Sequence, residues 1–459
     1  MTSQRKDVLG LIGNTPLFEV TKLERGVSRL FLKLENQNPG GSIKDRIGLS
    51  MIEAAEAAGK LAPGGTIVEA TAGNTGLGLA LVAAQKGYRL ILVVPDKMAR
   101  EKIHHLTALG AKVVLTRSDV GKGHAEYYQD KAAAIAAATQ GAYYIDQFNN
   151  PANPLAHEQG TGPELWAQME QRIDAVVCGV GSSGTITGLS RFFARVSPGT
   201  DIVLADPHGS VLADYIATGK IGAAGSWAVE GIGEDFIPPI ADLSRVRHAF
   251  TIGDEESFAT ARALLRQEGI LAGSSTGTLV AAALRYCRAQ REPKRVATFV
   301  CDSGAKYLSK MFNDAWLAEQ GFGERTRHND LRDLIARPHA EGATISVAPA
   351  DTLAIAYGRM RAADISQLPV LDGERIVGLI DESDILLSVT GGGDCDAAFA
   401  CPVSSAMTAR LETLPVDAPL SVLPPIFDRG MVAIVVEQGR FLGLITRVDF
   451  INFMRLRLK

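Results

Sequence analysis

Between residues 30 and 302, short apolar runs alternate with longer stretches whose apolar residues recur at helical spacing. The runs lie at 66–70, 89–95, 112–116, 175–180, 201–206 and 295–301, and helical stretches such as 77–86, 130–139 and 255–267 lie between them. This alternation predicts an α/β fold with mostly parallel strands and helices on both faces of the sheet. Ligands of such folds bind at the carboxyl ends of strands, so the loops that follow strands are the places to search for a site.

The composition excludes several classes of protein. The 459 residues are 46% hydrophobic and 21% charged, as in a globular protein with a core. The net charge of −4 gives no electrostatic basis for nucleic-acid binding. No apolar run is long enough to span a membrane, and the polar N-terminal residues do not resemble a signal peptide. Five cysteines without CxxC spacing indicate reduced thiols, so we expect a cytoplasmic protein without a zinc site.

The first glycine-rich loop, NPGGSIKDR at 38–46, follows an apolar strand. Its glycines permit a sharp bend, and Ser42 is predicted to be the N-cap of a helix. Lys44 then lies at the start of that helix, where the positive helix end disfavours an ammonium group and helps the amine to form an imine. Taken alone, such a lysine is more often a solvated surface charge.

Two further loops lie between a strand and a helix. The backbone N–H groups of TAGNTG at 71–76 suit a carboxylate, although the same pattern also forms ordinary turns. The loop GVGSSGT at 179–185 follows the strand that begins at Ala175 and opens a helix. It suits a phosphate, with the hydroxyls of Ser182, Ser183 and Thr185 as additional donors.

The third loop also matches GxGxxG and is followed by a strand that ends in Asp206. This is the layout of a dinucleotide-binding site, so an NAD-dependent oxidoreductase is an alternative. The turn PHGS at 207–210 does not look like an adenosine pocket, and this alternative leaves the loops of Lys44 and Asn74 without a role.

Taken in order, these loops resemble the fold type II pyridoxal-phosphate family, which includes cysteine synthase and cystathionine β-synthase. The resemblance covers about residues 9–322 and includes the opening motif IGNTP at 12–16. It implies two α/β subdomains with mostly parallel sheets, with Lys44 as the residue that forms the imine with pyridoxal 5′-phosphate. The other cofactor contacts that it implies are Asn74 at the phenolic oxygen, Ser274 at the pyridine nitrogen, and Gly181, Ser182, Ser183, Gly184 and Thr185 at the phosphate.

The resemblance also implies the substrate site and the roles of two residues. Lys44 acts as the general base that removes the α-proton and later returns it. Ser274 is neutral and leaves the ring nitrogen unprotonated, which makes the ring a weaker electron sink and suits departure of a β-substituent. The substrate contacts that follow from it are Thr71, Ala72, Gly73, Asn74, Thr75, Gln147, Gly231 and Glu234.

Three stretches are more similar to the cystathionine β-synthase branch than to cysteine synthase: DPHGS at 206–210, WAVEGIGEDFIP at 227–238 and MFNDAWLAEQGF at 311–322. They imply that homocysteine replaces the hydroxyl of serine, with hydrogen sulfide release from cysteine as an additional reaction. Cysteine synthesis from O-acetylserine and sulfide is the near alternative. The haem-binding extension of the animal enzymes is missing, so we expect no haem. Glu234 stands where animal relatives have tyrosine, and we hypothesise that it binds the amino group of homocysteine.

The C-terminal part contains an internal repeat, in which LPVLDGERIVGLIDESD at 368–384 resembles VAIVVEQGRFLGLITRVD at 432–449. Each copy predicts strand, turn, strand and helix, and the pair resembles the CBS-motif (Bateman) module, a second α/β unit. We predict a catalytic domain at 1–322, a linker at 323–337 and two CBS motifs at 338–393 and 394–459, with the glycines at 391–393 between the motifs.

CBS modules of this kind often bind adenosyl ligands. Thr446 and Asp449 fit the positions that hold a ribose, whereas in the first motif Asp384 remains and Asp381 replaces the hydroxyl residue. The acid at Asp381 would repel a phosphate, which favours S-adenosylmethionine over ATP. Two alternatives stay open: a dimerisation module that binds nothing, and a nucleotide sensor whose enzyme part is silent. A homodimer or higher homo-oligomer is expected.

Overall fold

The structure is a computed structural model that describes residues 7–71, 73–96, 98, 100–322, 328–340, 342–390 and 395–457. The chain divides into two compact units, with the boundary between Phe312 and Asn313. The first five residues of the predicted linker and the glycines at 391–393 lie outside the described residues. Among the described residues, no helix combines the length and the apolar character that crossing a bilayer requires.

The described part of the first unit contains two sheets, and the helices alternate with their strands. The strands are β1 (Leu17–Glu19), β2 (Arg29–Lys33), β3 (Thr66–Ala70), β4 (Arg89–Pro95), β5 (Lys112–Thr116), β6 (Ala142–Tyr144), β7 (Ala175–Cys178), β8 (Asp201–Pro207), β9 (Val246–Ile252) and β10 (Arg295–Phe299). The helices are α1 (Lys44–Ala57), α2 (Asn74–Lys86), α3 (Arg100–Ala108), α4 (Tyr128–Ala138), α5 (Ala152–Ala156), α6 (Gly162–Gln168), α7 (Gly184–Val196), α8 (Leu212–Thr218), α9 (Asp254–Glu268) and α10 (Ser274–Arg288).

The larger sheet has the strand order β1-β2-β10-β7-β8-β9, and the smaller sheet has the order β5-β4-β3-β6. Every pairing is parallel except that of β1 with β2. β3 and β7 are buried along their whole length; β7 accordingly appears in the sequence as a continuous apolar run, whereas β3 includes the buried Thr66 and Glu69. The predicted fold, two mainly parallel α/β sheets in one unit, is confirmed.

The helices α1 and α2 approach each other closely because each has a glycine at the contact. A Cβ atom built on Gly78 would lie 2.6 Å from the carbonyl oxygen of Lys44, and one built on Gly48 would lie 2.8 Å from the carbonyl carbon of Gly78. The neighbouring atoms belong to backbone and cannot rotate away. This contact therefore fixes the first turn of α1, which carries Lys44, against the first turns of α2.

The second unit contains the two copies of the repeat. Its elements are α11 (Asp314–Gln320), α12 (Leu353–Ala363), β11 (Gln367–Asp372), β12 (Arg375–Asp381), α13 (Glu382–Thr390), α14 (Cys395–Phe399), β13 (Thr413–Pro415), α15 (Leu423–Asp428), β14 (Ala433–Glu437), β15 (Arg440–Ile445) and α16 (Arg447–Arg457). The predicted order of strand, turn, strand and helix is observed in both copies. Side chains from the two copies, including Leu371 and Phe441, share an apolar cluster.

Gly378 of the first copy and the matching Gly443 of the second copy have the same structural role. The strand register shifts after the pair Val370–Gly378 in the first copy and after the pair Val435–Gly443 in the second. A Cβ on Gly378 would lie 2.4 Å from the sulfur of Met407, and one on Gly443 would lie 2.4 Å from a methyl group of Ile335. Each glycine therefore leaves room for an apolar side chain that crosses the hairpin.

The substitution Gly78→Ala tests the contact between α1 and α2. We expect it to destabilise the protein by about 1–3 kcal/mol, because a methyl group would collide with the backbone of α1. Gly358→Ala in α12 is the matched control, since no atom lies within 4 Å of its Cβ position, and it should be neutral or stabilising by up to ~1 kcal/mol. Urea unfolding followed by tryptophan fluorescence measures both. Equal stability of Gly78→Ala and the parent protein would contradict the contact.

Candidate active site

Lys44 is the first residue of α1 and is partly buried. Burial lowers the pKa of its ammonium group, while the nearby groups of Cys301 and Glu234 act in the opposite direction. A lowered pKa raises the fraction of neutral amine, the form that attacks a carbonyl and accepts a proton. The position and the electrostatics therefore suit the predicted role of Lys44.

The predicted N-cap role of Ser42 is wrong, because the N-cap residue of α1 is Ile43, which offers no side-chain cap. The backbone of Ser42 forms a bridge with Asp302, which moves the start of the helix one residue further along. The hydroxyl of Ser42 still accepts a long hydrogen bond of 3.3 Å from the N–H of Lys44.

The loop at 181–185 precedes and opens α7. Ser183 adopts a left-handed conformation with φ +68°, and its buried Oγ has no hydrogen-bond partner among the described residues. A Cβ on Gly184 would lie 1.8 Å from Oδ1 of Asn153, and one on Gly181 would lie 2.7 Å from the carbonyl oxygen of Gly231. An unpaired buried hydroxyl at the N-terminus of a 13-residue helix fits the phosphate of pyridoxal phosphate.

His157, which the sequence did not single out, supports this loop. It begins a π-helical turn (His157–Thr161) and is fully buried. Its Nε2 lies 3.2 Å from Oγ1 of Thr185, and its Nδ1 lies 2.9 Å from Oγ1 of Thr161. Burial holds its pKa well below the usual value, so the ring is neutral at physiological pH. A neutral ring that donates from Nε2 leaves the hydroxyl proton of Thr185 for the phosphate, and no motif in the sequence marks this residue.

Asn74, the first residue of α2, is held by two side chains that the sequence analysis also missed. Its Nδ2 donates to Oδ2 of the buried Asp302 at 2.7 Å, and its Oδ1 accepts from Nζ of Lys306 at 2.9 Å. Tyr307 donates its hydroxyl to the same Oδ2 at 2.7 Å. These bonds fix the amide and leave one N–H of Asn74 for a ligand, which fits the predicted contact with the phenolic oxygen of the cofactor.

Ser274 begins α10 and is buried. Its Oγ accepts the backbone N–H of Glu230 at 3.0 Å, which leaves its own proton to be donated to a ring nitrogen. Glu230 also forms ion pairs of 2.5 Å with Lys102 and 2.6 Å with Lys310. These ion pairs hold the loop around Glu230 against Ser274. The three charged residues were not identified from the sequence.

The residues of the predicted carboxylate site lie together at the start of α2. Thr71 is buried, and its Oγ1 accepts the N–H of Gly73 at 3.2 Å. Thr75 donates its hydroxyl to Oε1 of Gln147 at 2.8 Å, so these two predicted substrate contacts lie next to each other. Ala72 lies outside the described residues.

Gly231 and Glu234 belong to a turn beside the phosphate loop. Gly231 and Gly233 both have φ +87°, a conformation that favours glycine. Oε1 of Glu234 lies 4.0 Å from the position of a Cβ on Gly181. The charge of Glu234 opposes the burial that lowers the pKa of Lys44. Burial, followed by the charge of Glu234, raises the pKa of Tyr128. Glu234 thus lies close to the predicted cofactor site.

The predicted ligand residues of the CBS module cap two helices. Oδ2 of Asp449 accepts the backbone N–H and the hydroxyl of Thr446, both at 2.7 Å, at the start of α16. In the first copy, Asp381 and Asp384 accept each other's backbone N–H groups at 2.9 and 3.0 Å. Both arrangements resemble a capping box, so the pattern has a structural explanation as well as a ligand-binding one.

The geometry of the first unit defines a class of enzyme: a lysine at a helix start, an amide at the next helix start, a phosphate loop and a buried serine are those of fold type II pyridoxal-phosphate enzymes. Residues 8–302 match the model of the family "Pyridoxal-phosphate dependent enzyme", and residues 333–391 and 403–456 match that of the "CBS domain". The chain belongs to the pyridoxal-phosphate-dependent enzymes, within their cystathionine β-synthase family, and its cofactor is pyridoxal phosphate.

Relatives with this name align over nearly the whole chain. Cystathionine beta-synthase of Dictyostelium discoideum is 34% identical over 98% of this chain and 92% of its own length. The enzyme of Oryctolagus cuniculus is 35% identical over 98% of this chain and 85% of its own length.

Solved structures also match. The O-acetylserine dependent cystathionine beta-synthase from Helicobacter pylori is 35% identical, with a TM-score of 0.62 over 67% of this chain and 99% of its own. A hydrogen sulfide-producing enzyme from Fusobacterium nucleatum is 33% identical, with a TM-score of 0.63 over 66% of this chain and 100% of its own.

The NAD-dependent alternative is therefore wrong. Asp206, the acid that suggested a ribose contact, is fully buried at the end of β8. Its carboxylate accepts the backbone N–H of Ala213 at 2.9 Å, inside the protein. The GxGxxG pattern occurs here because a glycine-rich turn between a strand and a helix can bind the phosphate of different cofactors.

Proposed function

We propose that the chain is a cystathionine β-synthase that replaces the hydroxyl of serine with the thiol of homocysteine. The Cβ–O bond of serine breaks, the Cβ–S bond forms, and the hydroxyl leaves with a proton as water. The proposal is supported by the presence of Lys44, the Asn74–Asp302 pair, the Ser183 loop and Ser274 in one unit, in a chain that aligns with cystathionine β-synthases over 98% of its length.

In the proposed reaction, Lys44, Ser274 and the loop at 71–75 have separate roles. Bound pyridoxal phosphate supplies an electron-withdrawing ring that stabilises negative charge at the substrate's α-carbon. Lys44, made less basic by burial, holds the cofactor and moves the α-proton to and from that carbon. Ser274 donates to the ring nitrogen without giving it a full proton. The loop at 71–75 orients the α-carboxylate at the start of α2.

Cysteine synthesis from O-acetylserine is the second candidate. The solved enzyme from Helicobacter pylori combines an O-acetylserine dependence with the name cystathionine beta-synthase, and it is 35% identical to this chain. Two similar enzymes can therefore differ in the leaving group of the substrate, which is hydroxide for serine and acetate for O-acetylserine. Hydrogen sulfide release from cysteine uses the same bond cleavage at Cβ with a thiol as the leaving group.

Product analysis tests the proposed function. The purified enzyme with pyridoxal phosphate should convert serine plus homocysteine to cystathionine, and faster than it converts O-acetylserine plus sulfide to cysteine. Lys44→Ala removes the base and should lower turnover by at least ~10²-fold. Mass spectrometry identifies the products. Cysteine from O-acetylserine as the faster product would favour the second candidate.

For Glu234 we propose recognition of the amino group of homocysteine, because its carboxylate lies near both Lys44 and the phosphate loop. Glu234→Gln should raise KM for homocysteine by about tenfold, since a charge-assisted hydrogen bond becomes a neutral one. The KM for serine should change much less. The exposed neighbour Asp235→Asn serves as the control for the charge change. An unchanged KM for homocysteine in Glu234→Gln contradicts this role.

We further propose that the second unit binds an adenosyl ligand, with S-adenosylmethionine preferred, through Thr446 and Asp449, with Asp384 at a weaker site. The proposed assembly is a homodimer or higher homo-oligomer in the cytoplasm. Four cysteines of the described part are free thiols, which fits a reducing compartment: Cys178, Cys287, Cys301 and Cys401.

Calorimetry with S-adenosylmethionine, AMP and ATP tests this regulatory role. We expect binding of S-adenosylmethionine that Thr446→Val abolishes. Because that change also removes a helix cap worth about 1 kcal/mol, the control is Thr352→Val, which removes the cap of α12. The control variant should bind like the parent protein. No binding of any of the three ligands would contradict the regulatory role and favour a purely structural module.

A further inference from the structure

Glu69 is a buried acid that the proposed mechanism does not use. It lies on β3 two residues before the substrate loop, and its side chain is 1% exposed. Its Oε1 accepts from Nε2 of Gln147 at 3.1 Å, whereas its Oε2 has no hydrogen-bond partner among the described residues. A buried carboxylate with an unpaired oxygen is costly when charged, so this side chain calls for an explanation.

The surroundings of Glu69 favour its neutral form. Burial and the charge of Asp146 raise the pKa of Glu69 to about 8, although the backbone N–H groups of Asp146 and Gln147 partly offset this. Tyr143 of β6 lies on the same face of the sheet as Glu69, and burial, with a smaller contribution from the charge of Glu69, raises the pKa of Tyr143. The acid therefore gains or loses its proton in a pH range in which enzymes are assayed.

The helices over this part of the sheet place apolar side chains on the face of β3 that carries Glu69. Ile67, on the same face of β3 as Glu69, packs in an apolar cluster. The helices contribute Met51 from α1, Leu77 from α2 and Ala152 from α5 to this cluster. Gln147 and the backbone are thus the polar groups that respond to the state of Glu69.

The hydrogen bonds of Gln147 link the protonation of Glu69 to the substrate loop. Both hydrogens of its Nε2 are used, one for Glu69 and one for the carbonyl oxygen of Ala70 at 3.3 Å. Its Oε1 accepts the hydroxyl of Thr75 at 2.8 Å. In this arrangement neither Gln147 nor the hydroxyl of Thr75 has a hydrogen to offer to a carboxylate.

Turning the amide of Gln147 over would reverse this. Its Nε2 would then lie beside Thr75 at the substrate loop, and its Oε1 would lie beside Glu69, at the loss of the hydrogen bond to the carbonyl oxygen of Ala70. That arrangement requires Glu69 to donate a hydrogen, which only the protonated acid can do. The ionised acid instead requires the amide hydrogen that it receives in the structure.

We propose that Glu69 is a positioning residue whose proton decides which end of the Gln147 amide faces the substrate loop, and through it the affinity for the α-carboxylate of the amino-acid substrate. This inference rests on the proposed function, because it takes the loop at 71–75 as the carboxylate site. Protonated Glu69 presents a donor to the carboxylate and binds it well. Affinity falls as the pH rises and Glu69 loses its proton.

The test uses the holoenzyme and L-alanine, an amino acid without a leaving group at Cβ. Its dissociation constant is measured between about pH 6.5 and 9.5 from the absorbance of the bound cofactor. Expressed as its ratio to the dissociation constant of Glu69→Gln, the value for the parent protein should rise about tenfold on the alkaline side of neutrality, from the loss of a hydrogen bond to a charged group. The ammonium group of L-alanine titrates equally in every variant, so ratios between variants isolate the protein's contribution.

Glu69→Gln can donate a hydrogen to Gln147 at every pH because its amide does not titrate, and it should lose the alkaline weakening. The control Glu53→Gln, the same change at an exposed position of α1, should keep it. If Glu69→Gln retains the weakening of the parent protein, the inference is wrong. Should that variant fail to fold, Gln147→Leu provides the test: its affinity should be low and should lack the alkaline weakening, and a profile like that of the parent protein would overturn the inference.

Turnover of serine with homocysteine, measured on the same preparations, separates the two proposals. Binding of L-alanine that depends on Glu69, without turnover of any amino-acid pair, would contradict the proposed function alone. Turnover with an alkaline weakening that Glu69→Gln leaves unchanged would contradict the inference alone. A role of Glu69 in stability only would change the unfolding midpoint and leave the pH profile of the dissociation constant unaltered.

Discussion

The position of Lys44 depends on a buried ion-pair network around Arg46, two residues further along α1. Arg46 donates to both carboxylate oxygens of Glu35 and of Glu164, at 2.7–2.9 Å. Lys33, fully buried at the end of β2, donates to Glu164 at 2.9 Å and to the carbonyl oxygen of Thr15 at 2.7 Å. The network joins β2, α1 and α6, and loss of one member would leave a buried charge unpaired. The start of α1 is therefore held in place by an ion-pair network that requires Arg46, Glu35, Glu164 and Lys33 together.

This network also explains the IGNTP motif at 12–16, which was assigned from the sequence only by resemblance. The glycine of IGNTP is Gly13, whose missing Cβ would lie 2.9 Å from Oε1 of Glu164 and 3.1 Å from Nη1 of Arg46. Thr15 of the same motif donates its hydroxyl to Glu35 at 2.7 Å. Gly13 and Thr15 thus contribute to the placement of Lys44 through the residues that bind Arg46.

Much of the fold and the site could be predicted from the sequence because the signals are local. Each predicted strand was a short segment rich in apolar residues, and each predicted loop carried its glycines within seven residues. The residues that were missed act across long separations: Asn74 and Asp302 are 228 positions apart, and Lys102 and Glu230 are 128. His157 is a lone histidine in a helical stretch, and only the fold brings it to Thr185. The start of α1 was misplaced by one residue because the bridge from Ser42 to Asp302 is a tertiary contact.

The contact of α1 with α2 has a consequence for the accuracy of the proposed proton transfer by Lys44. Lys44 and the proposed carboxylate loop lie on two helices that touch through backbone atoms at Gly48 and Gly78, without side chains between them. Backbone contacts have no rotamers, so thermal motion changes the separation of these helices less than it changes a contact between flexible side chains. The distance from the amine of Lys44 to the α-carbon of a bound amino acid is then set mainly by rigid geometry. A shift near 1 Å in such a distance is enough to slow a reaction by about two orders of magnitude.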